Sequence, residues 1–207
     1  MSDQSRWDNW NRAGGPRFPK EKVVQFVLRR FPDRAARAGL KVLDLGCGSG
    51  VHTLFLAREG FAAHGCDISP VGVANTRARL AEAGCAGDVV VGCVEHIAWP
   101  DNHFDALICL GVLECAGPAL LTTALSEIMR VLRPGAPALV LFAADTDFRL
   151  GNGNPLELYG FTDAEVEAAL EPLRTTAQIW MDRHITTYEN KRIEQNEHLL
   201  TLIKGKA

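Results

Sequence analysis

The chain has 207 residues, 47% of them hydrophobic and 23% charged, with a formal net charge of -3 at pH 7. That is the size of one α/β domain with apolar residues enough for a single core. The near-neutral balance gives no electrostatic support for binding a phosphate backbone, so no nucleic-acid partner is expected. The N-terminal MSDQSRWDNW is polar and lacks the apolar stretch of a secretory signal. The most apolar segment, 106–121, is interrupted by Glu114 and Pro118 and does not read as a membrane span, so no membrane partner is expected either. Six cysteines are scattered without C-x-x-C spacing, the pattern of reduced core thiols in a cytoplasmic protein without structural zinc.

In chain order, residues 1–18 carry Trp7, Trp10 and Phe18 among polar residues and show no clear period. From Pro19 the spacing of Val24, Val27, Leu28 and Phe31 predicts a helix that Pro32 ends. The run 40–45 (LKVLDL) reads as a strand buried on both faces of a parallel sheet. A glycine loop and a helix over 51–59 follow, closed by Gly60. Residues 61–67 read as a second strand, and Ser69-Pro70 supplies an N-cap and an N1 proline for a helix running to Gly84. Strands over 89–93 and 104–110, a helix over 118–132 with Leu121, Leu125, Ile128 and Leu132 on one stripe, and a strand over 137–143 complete the alternation. Beyond it come a Gly/Asn-rich loop over 144–160, a helix opened by Thr162 and Glu165 as a capping box, and strands over 177–181 and 198–203 forming an antiparallel hairpin.

The whole of 1–207 therefore reads as a single α/β domain. Its sheet is doubly wound and seven-stranded, mostly parallel, with right-handed crossovers and a C-terminal antiparallel hairpin. A helical cap spans 1–35, a ligand-binding core 38–143, and the late helix and hairpin 144–207. Ligands of such sheets bind beyond the carboxyl ends of the strands.

The informative segment is VLDLGCGSG, 42–50. Gly46, Gly48 and Gly50, with Cys47 among them, let the backbone pass close to a ligand where a strand end meets a helix N-terminus. The spacing is G-x-G-x-G, without the extra residue of the dinucleotide fingerprint. Asp44, two residues ahead of the first glycine, stands where a pyrophosphate's charge would be unwelcome. S-adenosylmethionine, with a cationic amino group and sulfonium, suits that acid. Asp67, ending the second strand, can accept from both hydroxyls of an adenosine ribose, and Ile68 beside it can cover an adenine face.

In order, VLDLGCGSG, GFAAHGCDIS, AWPDNHFDALICLGVLE and EIMRVLRPG resemble the class I S-adenosylmethionine-dependent methyltransferases over about residues 38–143. The short chain is similar to their small-molecule branch, including the tellurite-resistance and ubiquinone-pathway O-methyltransferases. The resemblance implies a Rossmann-like methyltransferase fold, S-adenosylmethionine as cofactor with S-adenosylhomocysteine as product, and a small-molecule acceptor. It implies that Gly46 and its neighbours approach the methionine moiety, that Asp67 takes the ribose, and that the Leu110 carbonyl receives the methionine amino group. Arg17 is similar in placement to an arginine that pairs with the cofactor carboxylate in some relatives. The family places an aspartate against the adenine amino group; here that position holds Cys93, a poor acceptor, followed by Val94 and Glu95. Either Glu95 takes over that contact or it is lost.

Methyl transfer asks the protein chiefly to hold the nucleophile in line in a dry pocket, and a base is required only if the acceptor must lose a proton first. Glu114 and His96 are the candidate bases, with Tyr159 and His184 from the C-terminal region. The family often reads Leu-Glu-His after the fourth strand; this chain has Leu113-Glu114-Cys115. Trp7 and Trp10 are expected as a lid, and Tyr159, Phe161 and His184 as further acceptor contacts. Leu110-Gly111 offers no side-chain oxygen for a metal, and none is expected. A nicotinamide oxidoreductase, an RNA, DNA or protein methyltransferase, and a non-catalytic cofactor-binding subunit are the competing readings. Oligomeric state is not legible.

Overall fold

The computed structural model describes residues 3–151, 154, 156–189 and 193–206, so part of the Gly/Asn-rich loop over 144–160 lies outside the described residues. Short apolar runs become strands because each can bury both faces between helices. They are β1 (Lys41–Leu45), β2 (Ala62–Asp67), β3 (Asp88–Val91), β4 (Ala106–Leu110), β5 (Pro137–Ala143), β6 (Ala177–Tyr188) and β7 (Ile193–Lys204). They form one seven-stranded sheet in the order β3-β2-β1-β4-β5-β7-β6. The first five pair in parallel, and β7 runs antiparallel to both β5 and β6. The strand order reverses between β1 and β4, which opens a crevice beyond their carboxyl ends.

The helices are α1 (Asp3–Arg12), α2 (Glu21–Arg30), α3 (Val51–Arg58), α4 (Pro70–Glu82), α5 (Leu113–Ala116), α6 (Leu121–Val131) and α7 (Asp163–Leu170). Local chemistry sets several boundaries. Ser69 Oγ accepts from Gly72 N at 3.0 Å, with Pro70 opening α4. Thr162 and Glu165 form a reciprocal capping box at α7. Leu121, Leu125, Ile128 and Leu132 are all buried, as their stripe required, but a 3-10 turn over Pro118–Leu120 precedes α6, so the helix starts later than its leucine period suggested. One face of the sheet packs under α6 and α7 around Phe104, Phe142 and Phe161; the other packs under α2 and α3 around Val23, Phe26 and Leu56.

Two features depart from the sequence reading. Residues 3–12 are helical although they carry no apolar period: α1 is almost wholly polar and is held by contacts to α4 and the segment after β5, not by an apolar stripe. The hairpin strands are also longer than 177–181 and 198–203. β6 and β7 pair from Ala177↔Lys204 to Tyr188↔Ile193, whereas β5 covers β7 only from Ile203 to Glu197. The far half of the hairpin therefore projects beyond β5, and its half-exposed alternation of Thr, Arg, Glu and Gln hides it from a hydrophobicity reading. Among the described residues no helix is long and apolar enough to cross a membrane.

Candidate functional site

The glycine loop is tied to the end of β2. Gly46 N and Cys47 N both donate to the Cys66 carbonyl, at 2.7 and 3.0 Å, and Gly50 N donates to Cys47 O at 2.8 Å. Gly46 has φ +79° and Gly50 φ +80°, both in the left-handed region that favours glycine. A Cβ on Gly46 would lie 2.1 Å from Val112 Cγ2. Above this turn lies a cavity of about 270 Å³ bounded by the loop, the ends of β1, β2 and β4, the segment after β3, and α1.

Asp67 lines that cavity and anchors the loop. Its Oδ2 accepts from Gly48 N at 2.8 Å and its Oδ1 from Ser69 N at 2.8 Å. Each oxygen keeps a second acceptor site, so ribose hydroxyls can bind without displacing either bond. Burial raises the Asp67 pKa against these two bonds. Ile68, Cys93, Val94 and Glu95 form the adjoining wall. The Glu95 side chain, hydrogen-bonded by Cys93, is the first cause lifting the thiol pKa, with desolvation second. The thiol thus occupies itself as a donor to that carboxylate.

Trp7 and Trp10 reach the cavity from α1. Ser69 Oγ donates to Asp8 Oδ1 at 2.5 Å, Asn75 Nδ2 donates to Asn11 O at 2.8 Å, and Arg6 Nη1 donates to Leu156 O at 3.2 Å. Asn11 is 2% exposed, wedged where a Cβ on Gly72 would come within 2.8 Å of its Nδ2. Polar latches, not apolar packing, place the two indoles.

On the β4 side, Gly46, Cys47, Gly48 and Leu110 line the cavity with Gly111 and His52. His52 was not legible as a site residue, since nothing in VHTLFLAR distinguishes it from a helix-surface histidine. Its Nε2 accepts from Lys20 N at 3.1 Å, and burial followed by the nearby Lys20 charge pushes its pKa down to about 4, so the ring is neutral with its proton on Nδ1. Glu114 is 1% exposed behind Gly111.

Other expected site residues stand elsewhere. Asp44 lies beneath the loop, accepting from Thr53 Oγ1 at 2.6 Å, and burial pushes its pKa up to about 6. It supports the turn from below, because the β1 alternation points it into the layer under α3. Gly50 caps α3 and packs on Thr76 instead of facing the cavity. Arg17 and His96 are exposed and outside the cavity lining, since each sits on a surface turn. Phe161 is fully buried between Phe142 and Tyr159, so it is a core residue and no acceptor contact. Tyr159 gives its hydroxyl to Glu165 Oε1 at 2.5 Å and does not line the cavity. His184 sits on β6 opposite Glu197, also outside the lining.

A glycine turn at a topological switch point, an acid closing the next strand, and the order 3-2-1-4-5-7-6 define a class of nucleoside-binding α/β domains. Residues 42–135 match the family model described as a methyltransferase domain. Over these residues the chain carries a methyltransferase domain. Among relatives, it is 31% identical over 169 residues to the ubiquinone biosynthesis O-methyltransferase of Hahella chejuensis, covering 80% of this chain and 66% of that one. Against others it spans about half of their length. The solved magnesium protoporphyrin IX methyltransferase of Synechocystis, with bound S-adenosylhomocysteine, superposes with a TM-score of 0.71 at 18% identity, covering 98% of this chain and 96% of that one. A solved 4+2 cyclase superposes equally well, TM-score 0.71 at 18% identity over 100% of this chain and 97% of that one. The fold by itself therefore does not fix the chemistry.

Proposed function

We propose that the cavity binds S-adenosylmethionine and that the chain transfers its methyl group to a small-molecule acceptor. The observation that carries this reading is the charge of the lining. Among the described residues two carboxylates, Asp67 and Glu95, line the cavity and no lysine or arginine does, and His52 is neutral. Such a wall favours a cationic nucleoside and opposes a pyrophosphate. S-adenosylmethionine supplies a methyl carbon made electrophilic by a positive sulfur. The chain's residues bind and orient: Asp67 takes the ribose, Glu95 the adenine amino group, the loop around Gly46 and the Leu110 carbonyl the methionine moiety. Trp7 and Trp10 exclude water from the reacting atoms, and Gly111 and His52 bound the side from which an acceptor enters, with Glu114 buried behind Gly111 and outside the lining. Proximity in a dry pocket carries most of such catalysis.

Calorimetry tests the reading. S-adenosylmethionine and S-adenosylhomocysteine are expected to bind, and NAD is not; the reverse result overturns it. Transfer of labelled methyl to a metabolite panel separates an enzyme from a cofactor-binding subunit or a cyclase-like use of the fold. For the adenine contact, Glu95→Ala is expected to weaken S-adenosylhomocysteine about tenfold, the loss of about 1.4 kcal/mol. Cys93→Asn, which offers an amide oxygen in place of the thiol, is expected to restore part of that affinity in the Glu95→Ala background. Equal affinity of Glu95→Ala and the parent would show that the adenine edge is held by backbone alone.

A further inference from the structure

Where the glycine loop enters α3, His52 presents a hydrogen-bond donor to the cavity. Its Nε2 accepts from Lys20 N at 3.1 Å. A backbone N–H only donates, so the neutral ring carries its own proton on Nδ1. That N–H has no protein partner among the described residues, and the ring lines the cavity. Lys20 is itself immobilised: its carbonyl accepts from Val23 N at 3.0 Å and Val24 N at 3.3 Å, and its Nζ donates to Glu197 at 2.9 and 3.2 Å. The imidazole is therefore held in one orientation by a partner that cannot follow it. Burial, then the Lys20 charge, pushes its pKa down to about 4, so it remains an uncharged donor near neutral pH.

The amino-acid end of S-adenosylmethionine carries an ammonium and a carboxylate. Carbonyls of the loop and of Leu110 suit the ammonium, but the carboxylate meets an opposing wall. Among the described residues Asp67 and Glu95 line the cavity, no lysine or arginine does, and Lys20 spends its Nζ on Glu197. Other side-chain donors are committed elsewhere. Ser49 Oγ is buried without a partner, yet a Cβ on Gly15 would lie 2.6 Å from it, so Gly15 packs directly over it. Asn11 is wedged against Gly72, and α1 with its two indoles is latched to Ser69, beside Asp67. At the methionine end the donor on offer is His52 Nδ1–H.

We propose that His52 is the positioning residue for the cofactor's carboxylate and thereby sets the range of ligands the cavity takes: one hydrogen bond from an uncharged ring holds the carboxylate, so decarboxylated S-adenosyl compounds bind here as well. This rests on the S-adenosylmethionine reading above. A guanidinium would grip a carboxylate through two parallel charge-assisted bonds, and a ligand lacking that group would be rejected. A single bond from a neutral donor is worth about tenfold in affinity. Removing the carboxylate also takes an anion out of a cavity walled by Asp67 and Glu95, which limits the loss. The cavity selects the nucleoside firmly and the amino-acid end loosely.

Calorimetry on the full chain compares S-adenosylhomocysteine with its decarboxylated analogue, the adenosine thioether of an aminopropyl chain, which lacks only the carboxylate. The analogue is expected to bind within about tenfold of S-adenosylhomocysteine. His52→Gln keeps an amide oxygen where Nε2 accepts from Lys20 N but has no donor at Nδ1. It is expected to melt as the parent does, to weaken S-adenosylhomocysteine about tenfold, and to weaken the analogue less than about twofold. His52→Asn places an amide N–H near Nδ1 and gives up the Lys20 bond, so it is expected to melt lower yet hold S-adenosylhomocysteine within about threefold of the parent. With nitrogen-labelled histidine, the Nδ1–H proton resonance is expected to move downfield with S-adenosylhomocysteine and to stay in place with the analogue. A loss beyond about tenfold for the analogue in the parent protein, or equal weakening of both ligands by His52→Gln, overturns the proposal. The parent's own comparison decides even if both variants fail to fold. Failure of both ligands to bind the parent would instead strike the S-adenosylmethionine reading.

Discussion

Asp67→Ala is expected to lower affinity for S-adenosylhomocysteine by about two orders of magnitude, the largest loss of any single cavity residue. Two hydroxyl-to-carboxylate hydrogen bonds vanish, each worth about 1.5–3 kcal/mol, and a combined loss of about 3 kcal/mol exceeds a hundredfold. The same change removes the partner of Gly48 N and Ser69 N, so the loop loses the side chain that fixes it against β2. Asp67→Asn separates the two effects. Its amide oxygen still accepts from one of these N–H groups, while its NH₂ opposes the other, so about a tenfold loss is expected with a smaller change in melting temperature. Calorimetry on variants shown to be folded by circular dichroism checks both. A folded Asp67→Ala protein that binds the nucleoside as the parent does would remove Asp67 from the site.

Gly50→Ala is expected to cost about 3 kcal/mol of stability. The residue holds φ +80°, a conformation that costs an alanine about 1–2 kcal/mol, and its Cβ would stand 2.8 Å from Thr76 Cα, a backbone atom that no rotamer can move. For a chain of this length that loss lowers the melting temperature by about 6–12 °C. Gly46→Ala provides the contrast. Its clash is with the Val112 side chain, so adding Val112→Ala is expected to recover part of the loss, whereas Thr76→Ala leaves the Gly50→Ala clash in place. Thermal denaturation of the single and double variants reads the difference. Equal rescue at both positions would show that the loop relaxes as a unit.

Local chemistry wrote much of the fold into the sequence. Apolar runs such as 40–45 and 137–143 have few alternatives to a strand buried on both faces, and Ser69-Pro70 and Thr162-Glu165 fix helix starts through bonds made within one turn. The glycine loop and Asp67 were legible for the same reason: positive φ and an acid at a strand end are demands of single positions. The hairpin's reach was not, because its far half alternates weakly polar residues that only cross-strand pairing orders. Residues 3–12 gave no helical period, because α1 is held by Asp8, Asn11 and Arg6 bonding to distant segments.

The acceptor side shows the division most clearly. Sequence put Glu114 near the strand ends and named His96, Tyr159, Phe161 and His184 beside it, but it could not rank them. Burial and long-range pairing set them in different surroundings. The chain returning through β7 brings Glu197 against Lys20 and Arg149, while Phe161 sinks into the core and His96 stays in solvent. The sequence by itself determined the strand-and-helix alternation, the glycine turn and the acid that closes β2, since each depends on neighbours a few residues away. Only the tertiary structure decided which of these side chains are buried and which reach the cavity, because that depends on how distant segments pack around each.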